Sequence, residues 1–147
     1  MTLKQQLIDA MKTAMKARDN LRLSAVRMVL SAIKNREIDQ HKELDDQGTI
    51  EVISTLVKQR RESIRLYQEG NRPELAEKEQ AEMNVLLEFL PAQMDLTEIN
   101  ELVAGIIREI DAQGIKDMGR VMKAITPLTA GKADGKVVSD AVRSQLA

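Results

Sequence analysis

The sequence predicts an all-α fold, and three of its features lead to that prediction. Aromatic residues make up only 1% of the chain, whereas β-strands draw heavily on aromatic and β-branched side chains. Leucine, methionine, alanine, glutamate, lysine, glutamine and arginine dominate instead, and these are strong helix formers. Apolar residues recur every three or four positions, which is the period of an amphipathic helix. We therefore predict an N-terminal four-helix bundle, built of helical hairpins, and a small three-helix C-terminal tail domain.

Helix breakers divide the chain into two predicted domains. Glycine and proline are absent from residues 1–47, whereas seven of them fall in residues 91–147. Pro91 opens a short linker at the point where the composition changes. We therefore predict an N-terminal helical domain over residues 1–93 and a C-terminal helical domain over residues 94–147. A core of three short helices is marginal alone, because a small domain buries little of its surface.

Capping signals and apolar periodicity place the first two helices. Thr2 and Gln5 fit a capping box, in which each side chain accepts a hydrogen bond from the backbone N–H of the other residue. Apolar side chains follow Thr2 at helical spacing, beginning with Leu3. The same spacing returns in residues 20–40, which we predict as the second helix.

The third and fourth helices are predicted to form an antiparallel hairpin. Thr49 is expected to cap the third helix, which runs to about residue 69, and the fourth helix ends at Leu90. The turn over residues 70–73 places Pro73 in the first turn of the fourth helix, where proline is favoured. A connection this short brings the two helices side by side.

A charged residue in the apolar stripe of each of these helices predicts an ion pair. Arg60 falls within the stripe of the third helix, and Glu79 and Glu82 interrupt the stripe of the fourth. Counting residues outward from the turn places Arg60 opposite the two glutamates across the hairpin. A partly buried ion pair between Arg60 and one of the glutamates would fix the register of the hairpin. The alternative is that Arg60, with Lys58 and Arg61, faces a ligand or an RNA phosphate.

The C-terminal domain is predicted as three short helices. Each begins with an aspartate whose side chain can accept a hydrogen bond from a free backbone N–H of the first turn. Gly114 is expected to end the first of these helices, and Pro127 to end or bend the second. The predicted caps, in chain order, are Asp95, Asp117 and Asp134.

The net charge of −1 conceals an uneven distribution of charge along the chain. Residues 1–36 hold eight basic and two acidic side chains. Residues 115–147 hold six basic and three acidic side chains. In the first helix, Lys4, Lys12 and Lys16 lie on one side. This basic excess predicts a phosphate-binding face; the alternative is a solvated face, or one that pairs with the acidic fourth helix.

The basic C-terminal stretch carries the most specific pattern. Lys116, Arg120 and Lys123 recur at helical spacing, opposite apolar residues, and nearby glycines would let backbone N–H groups approach a phosphate closely. The stretch has no aromatic residue on which a base could stack, so a phosphate backbone suits it better than a base. The alternative is a small module whose glycines permit tight helix crossings. The candidate nucleic-acid-binding residues are Lys116, Gly119, Arg120, Lys123, Lys132, Gly135 and Lys136.

Composition excludes several kinds of chemistry. The chain has no cysteine and one histidine, His41, so it offers no thiolate or zinc site and no histidine-based triad. Gly131 and Lys132 resemble the end of a nucleotide-binding loop, but Ala133 replaces the required serine or threonine. No apolar run has the length of a membrane span, and the N-terminus lacks the apolar core of an export signal. We therefore expect a cytoplasmic protein with no cofactor, no metal and no membrane contact.

Five segments of the sequence form recognisable motifs: 23–28 (LSAVRM), 58–64 (KQRRESI), 88–91 (EFLP), 117–125 (DMGRVMKAI) and 131–135 (GKADG). They resemble the GatB/YqeY family, and the resemblance covers nearly the whole chain. The two C-terminal segments are similar to the tail of the B subunit of glutamine-dependent aspartyl/glutamyl-tRNA amidotransferase, and the three N-terminal ones to the stand-alone YqeY-like branch.

The resemblance implies an all-helical N-terminal bundle with a small helical tail domain. In the amidotransferase B subunit the similar tail helps to bind tRNA, and the family carries the description of a carbon–nitrogen ligase with glutamine as amide donor. The kinase and transamidation site of that subunit lies outside the tail, so the resemblance implies no catalysis by this chain alone.

Two functions follow as expectations from the sequence. The first is a tRNA-binding accessory protein related to the tRNA amidotransferase, with amidotransferase or synthetase components as further partners. The second is a protein-interaction module that binds no RNA, which the charge segregation of the N-terminal helices also allows.

Overall fold

The protein, described over residues 1–147 by a computed structural model, consists of helices and connecting loops without a strand. The predicted all-α fold is confirmed. Two compact units, Met1–Leu90 and Pro91–Ala147, each enclose a hydrophobic core. None of the helices combines the length and the apolar character that crossing a bilayer requires. The helices are α1 (Leu3–Ala17), α2 (Asn20–Gln40), α3 (Asp46–Glu69), α4 (Pro73–Leu87), α5 (Leu96–Glu109), α6 (Met118–Thr129) and α7 (Gly135–Leu146), with a 3-10 turn (Ile115–Asp117) before α6.

The first unit is built of two helical hairpins. Helix α1 packs on α2 and α3 on α4, while α2 also contacts both helices of the second hairpin. The helices bury one apolar stripe each, because apolar residues recur at the helical period. The most deeply buried side chains of this core include Leu7, Val26, Ile33, Ile53 and Leu86.

The first two helices begin where their capping residues predict. Thr2 and Gln5 form both halves of the capping box at α1. Asp19 accepts a hydrogen bond from the backbone N–H of Arg22 at the start of α2. Both helices end on a non-glycine residue in the left-handed region, Arg18 at φ 56° and His41 at φ 55°.

Two boundaries of the second hairpin differ from the prediction. Asp45 caps α3, and its carboxylate accepts a hydrogen bond from the backbone N–H of Gly48 at 2.8 Å. Thr49 is instead buried inside the helix, where its hydroxyl donates to the carbonyl of Asp45 at 2.9 Å. Helix α4 ends at Leu87 rather than Leu90, and a tighter turn follows. Pro73 occupies the first turn of α4, as predicted.

The second unit is a three-helix module with its own core. Ile99 and Val103 from α5, Val121 and Ile125 from α6, and Val142 from α7 lie at its centre. Helices α6 and α7 run antiparallel, which follows from the return of the chain end to the start of α6. A Cβ atom placed on Gly114 would lie 3.9 Å from the carbonyl oxygen of Leu146.

Two breakers of this unit act differently from the prediction. Helix α5 ends at Glu109, and the chain reverses at Asp111, whose φ is 55°, so Gly114 does not end the helix. Pro127 lies inside α6, which continues for two residues to Thr129. Proline is tolerated this close to the end because it removes only one hydrogen bond of the last turn.

Candidate nucleic-acid interface

The seven predicted nucleic-acid-binding residues are all exposed at the surface of the second unit. The four lysines among them make no ion pair with a carboxylate: Lys116, Lys123, Lys132 and Lys136. All four side chains are exposed, so their charge is available to an external anion. We call these four the lysine set.

Helix α6 and the 3-10 turn before it carry one continuous cationic stripe. Lys116, Arg120 and Lys123 lie on the exposed side, while Val121 and Ile125 are fully buried on the opposite side. Seven residues of helix rise by roughly 10 Å, so the stripe covers about that length. The burial of the apolar side fixes the direction in which the stripe faces.

The remaining predicted residues lie at the other end of α6. Lys132, Gly135 and Lys136 occupy the loop after α6 and the first turn of α7. The backbone carbonyl of Lys132 accepts a hydrogen bond from the N–H of Met94 at 2.9 Å, which holds this loop in place. A helix the length of α6 is about 18 Å long, so the seven residues are spread along the second unit and do not gather in one pocket.

Arg120 has a structural role within this surface. One guanidinium nitrogen, Nη1, lies 3.2 Å from Oδ1 of Asp117, and Nη2 donates to the carbonyl of Ile110 at 2.8 Å. The carboxylate of Asp117 also accepts the N–H of Gln113 at 2.8 Å. These bonds close the loop between α5 and α6, so Arg120 is already engaged and the lysine set is not.

The same contacts explain the acidity of Asp117. The N–H of Gln113 and the guanidinium of Arg120 favour the charged carboxylate and hold the pKa of Asp117 below its usual value, while partial burial opposes them. The sequence signalled this residue only as a helix cap. Asp117 occupies the cap position of α6, but its side chain bonds to the preceding loop instead of the first turn.

Two of the candidate glycines face open space. A Cβ atom added to Gly119 or Gly135 would meet no heavy atom within 4 Å. The predicted alternative, that these glycines permit tight helix crossings, therefore lacks support at both positions. Gly131 differs, because its φ of 74° lies in the left-handed region that favours glycine.

The structure brings the predicted charged residues of the first unit together. Nε of Arg60 lies 3.1 Å from a carboxylate oxygen of Glu79 and 3.1 Å from one of Glu82. The three side chains are 18%, 19% and 14% exposed, so the cluster is mostly buried. Another guanidinium nitrogen of Arg60 contacts the sulfur of Met28 on α2. Arg60 therefore links three helices, and this geometry does not present it to a ligand.

Part of this cluster is imperfectly paired. Nε of Arg60 and Oε2 of Glu79 have short contacts with each other but no aligned hydrogen bond. Two carboxylates also share one guanidinium, which leaves one negative charge in excess. The cluster therefore fixes the register between α3 and α4 more than it adds to the folding stability of the unit.

Lys4 does not belong to a free basic face, contrary to the grouping by helical spacing. Its ammonium lies 2.7 Å from a carboxylate oxygen of Glu37 on α2. Glu37 also accepts the N–H of Leu44 at 2.9 Å, and both partners lower its pKa. Lys12 and Lys16 remain exposed and without an ion pair. Pairing across 33 residues has no signal in local spacing, which is why the sequence did not reveal it.

The side chains of the protein offer little for metal chemistry. No group of three or more histidine, aspartate or glutamate side chains lies close enough to hold a metal ion.

Comparison with known proteins matches nearly the whole chain to one protein family, and parts or all of it to fungal relatives. A family model described as Yqey-like protein matches residues 4–146. A protein of Lachancea thermotolerans is 36% identical over 104 residues, which are 68% of this chain and 55% of the relative. One of Kluyveromyces lactis is 43% identical over 91 residues, 61% of this chain and 47% of the relative. One of Eremothecium gossypii is 34% identical over 150 residues, 99% of this chain and 79% of the relative.

All three relatives carry the name Altered inheritance of mitochondria protein 41, mitochondrial. The chain spans about half the length of the first two. Their names contradict the cytoplasmic location expected from the sequence, and that prediction is wrong. The lack of cysteine and of an apolar export signal cannot separate the cytoplasm from other compartments in which proteins carry no disulfides.

Proposed function

The chain belongs to the YqeY family, and from this premise we propose that its C-terminal unit binds tRNA as an accessory protein related to the tRNA amidotransferase. The observation that carries the proposal is the lysine set, because four exposed lysines between the 3-10 turn and the first turn of α7 make no ion pair with a carboxylate. Lysines that neutralise the phosphates of a nucleic acid release the counterions bound to it. The affinity therefore depends on the charge of the protein and on the salt concentration.

The open glycines support the same ligand. Gly119 and Gly135 lie beside the lysine set, and a side chain at either position would fit without a clash. Glycine therefore serves no packing need there, and the backbone at both positions is open to the close approach of a ligand. A phosphate can approach a helix start closely where no side chain covers the backbone.

The resemblance to the amidotransferase tail suggests which RNA is bound. In that subunit the similar tail helps to bind tRNA, and the segments 117–125 and 131–135 that carry the resemblance include two of the four lysines of the lysine set. The proposal assigns no chemical step to this chain. Amide transfer from glutamine by the purified chain alone would contradict it.

The test is a comparison of two double variants that remove the same charge. Lys123→Ala with Lys136→Ala removes half of the lysine set. Lys42→Ala with Lys78→Ala removes two exposed, unpaired lysines of the first unit and serves as the control. Titration of labelled tRNA should show at least a tenfold loss of affinity for the first variant and little change for the control. Equal affinities for both variants would contradict the proposal.

A second candidate function is binding of a protein partner, such as an amidotransferase or synthetase component. It is favoured by large apolar side chains that remain exposed on the second unit: Leu96 is 59% exposed, Ile115 52% and Leu128 46%. Capture of a defined component after ribonuclease treatment, lost on Leu128→Ser, would favour this function. Capture that disappears with the ribonuclease would favour RNA binding instead.

A further inference from the structure

The lysine-set surface lacks the side chains that single-stranded RNA binders use. The only aromatic residues of the chain, Tyr67 and Phe89, lie in the first unit. Stacking of a base on an aromatic ring raises affinity by roughly one to two orders of magnitude per base. A single strand would gain none of that affinity on this surface.

Arginine stacking does not replace the missing aromatics. The guanidinium of Arg120 is held by Asp117 and by the carbonyl of Ile110. The guanidinium of Arg143, on α7, lies 3.6 Å from the carboxylate of Asp140. Each of these two guanidiniums therefore has an acidic partner on its own helix or at its edge, and a base would have to displace it. Arg108 lies on α5, outside the segment from the 3-10 turn to α7 that carries the lysine set.

The lysine set also cannot read base edges with much specificity. A lysine ammonium is a point charge, whereas the base contacts that discriminate best are bidentate and come from arginine, asparagine or glutamine. What the four lysines can recognise is the position of phosphates. Recognition by phosphate position places a ligand without reading its sequence.

The backbone that carries the lysine set favours a ligand with a regular phosphate path. Lys116 and Lys123 project from the two ends of one helical stripe, and backbone hydrogen bonds hold the loop that carries Lys132. Paired strands present phosphates at a regular spacing and a higher charge density than one strand. A cation therefore releases more counterions from a duplex, with a salt slope of about 0.9 per contact against about 0.7 for a single strand.

We infer that the nucleic acid bound by the lysine set is a double-helical RNA stem, held through its phosphates and without sequence selectivity. This inference rests on the proposed RNA binding and narrows it to one class of ligand. A tRNA would then be held by a paired stem rather than by its unpaired loops or its single-stranded end.

The experiment titrates the full chain with three probes of equal strand length. These are an RNA strand without self-structure, the same strand annealed to its complement, and a second duplex of unrelated sequence. We expect both duplexes to bind with affinities within twofold of each other and at least fivefold more tightly than the single strand. The Lys123→Ala and Lys136→Ala double variant should lower both duplex affinities by the same factor.

The outcomes separate this inference from the function on which it rests. A single strand that binds as tightly as the duplexes would overturn the inference and leave RNA binding intact. Duplexes that differ more than tenfold in affinity would overturn the claim of phosphate recognition. If no probe binds and tRNA does not bind either, the proposed function itself fails.

Discussion

Arg120 and Asp117 form an ion pair, 3.2 Å apart, that closes the loop between α5 and α6. Arg120 also reaches the carbonyl of Ile110, and Asp117 reaches the N–H of Gln113. The pair therefore positions the segment that carries Lys116. An arginine that the sequence suggests as an RNA contact thus has partners within the protein, whereas the lysine set makes no ion pair.

Replacing Arg120 tests this division of roles. In Arg120→Ala the carbonyl of Ile110 and the carboxylate of Asp117 each lose a partner, so the loop should open more often. We expect amide exchange at Gln113 to accelerate by roughly tenfold, which corresponds to the loss of one hydrogen bond to a charged group. Hydrogen-exchange NMR measures this rate. Arg120→Lys keeps the charge but cannot bridge both partners, so exchange as slow as in the parent protein would count against the structural role.

The order of the same loop should depend on pH. The pKa of Asp117 lies below its usual value of 3.8 in the folded protein, chiefly because the Gln113 N–H bonds to its charged form. A group whose pKa is lowered by folding stabilises the fold at pH values above its unfolded pKa. That contribution disappears as the pH falls through the folded pKa. Protection of the Gln113 amide should therefore be constant near neutral pH and fall in acid below about pH 4.

Asp117→Asn provides the control for this pH dependence. The amide can still accept the N–H of Gln113, but it does not titrate. We expect exchange at Gln113, corrected for its intrinsic rate, to be independent of pH in this variant. A fall in protection at the same pH in the variant would assign the effect to another group.

Alanine substitutions at the open glycines should separate stability from RNA binding. Gly119 and Gly135 lie in helical first turns with free space beside them, so alanine is expected to leave stability unchanged or raise it by about 0.5 kcal/mol. The added methyl groups should nevertheless lower tRNA affinity severalfold, since they hinder the approach of a phosphate. Thermal unfolding followed by circular dichroism and tRNA titration measure the two effects.

Two other glycines supply controls for that experiment. Gly105, in α5, also faces open space, so Gly105→Ala should stabilise the helix and leave tRNA affinity unchanged. Gly131 has φ 74°, so Gly131→Ala should cost about 1 kcal/mol through backbone strain. An equal loss of affinity in Gly105→Ala would show that the glycine effect is not local to the lysine-set surface.

The Arg60 cluster predicts a large loss of stability in the first unit. Arg60→Met leaves Glu79 and Glu82 close together in a mostly buried site without their cation, and we expect a loss of about 2–4 kcal/mol. Urea unfolding followed through the fluorescence of Tyr67, the only tyrosine, reports on this unit. Arg65 is the control, because its side chain is 48% exposed and surface pairs contribute less than about 1 kcal/mol. Equal losses for Arg60→Met and Arg65→Met would contradict the burial argument.

Local patterns predict much of this fold, because helix caps and apolar periodicity act over a few residues. The bounds of α2 and the capping box of Thr2 follow from such patterns. Thr49 fails as a cap because Asp45 lies four residues earlier and competes for the same role. Gly114 fails as a helix end because Asp111 tolerates the left-handed conformation.

The contacts between distant residues divide into those that topology predicts and those that it does not. A four-residue turn fixes which residues of α3 and α4 face each other, so the neighbourhood of Arg60 and the two glutamates follows from counting. No short turn constrains which residues of α1 and α2 meet at Lys4 and Glu37. The loop between α5 and α6 is irregular, so counting residues does not place Arg120 beside the carbonyl of Ile110 either. Which cations are paired and which are free therefore emerges only from the folded structure, and that distinction defines the lysine set.

The salt dependence of tRNA binding tests the central claim most directly. The slope of the logarithm of the association constant against the logarithm of salt concentration counts the phosphates that the protein neutralises. Replacing the lysine set together (Lys116, Lys123, Lys132 and Lys136) with glutamine should reduce that slope by about 3.6, near 0.9 for each lysine. A slope that stays the same after this replacement would show that tRNA binds elsewhere, or that charge neutralisation by these lysines does not hold it.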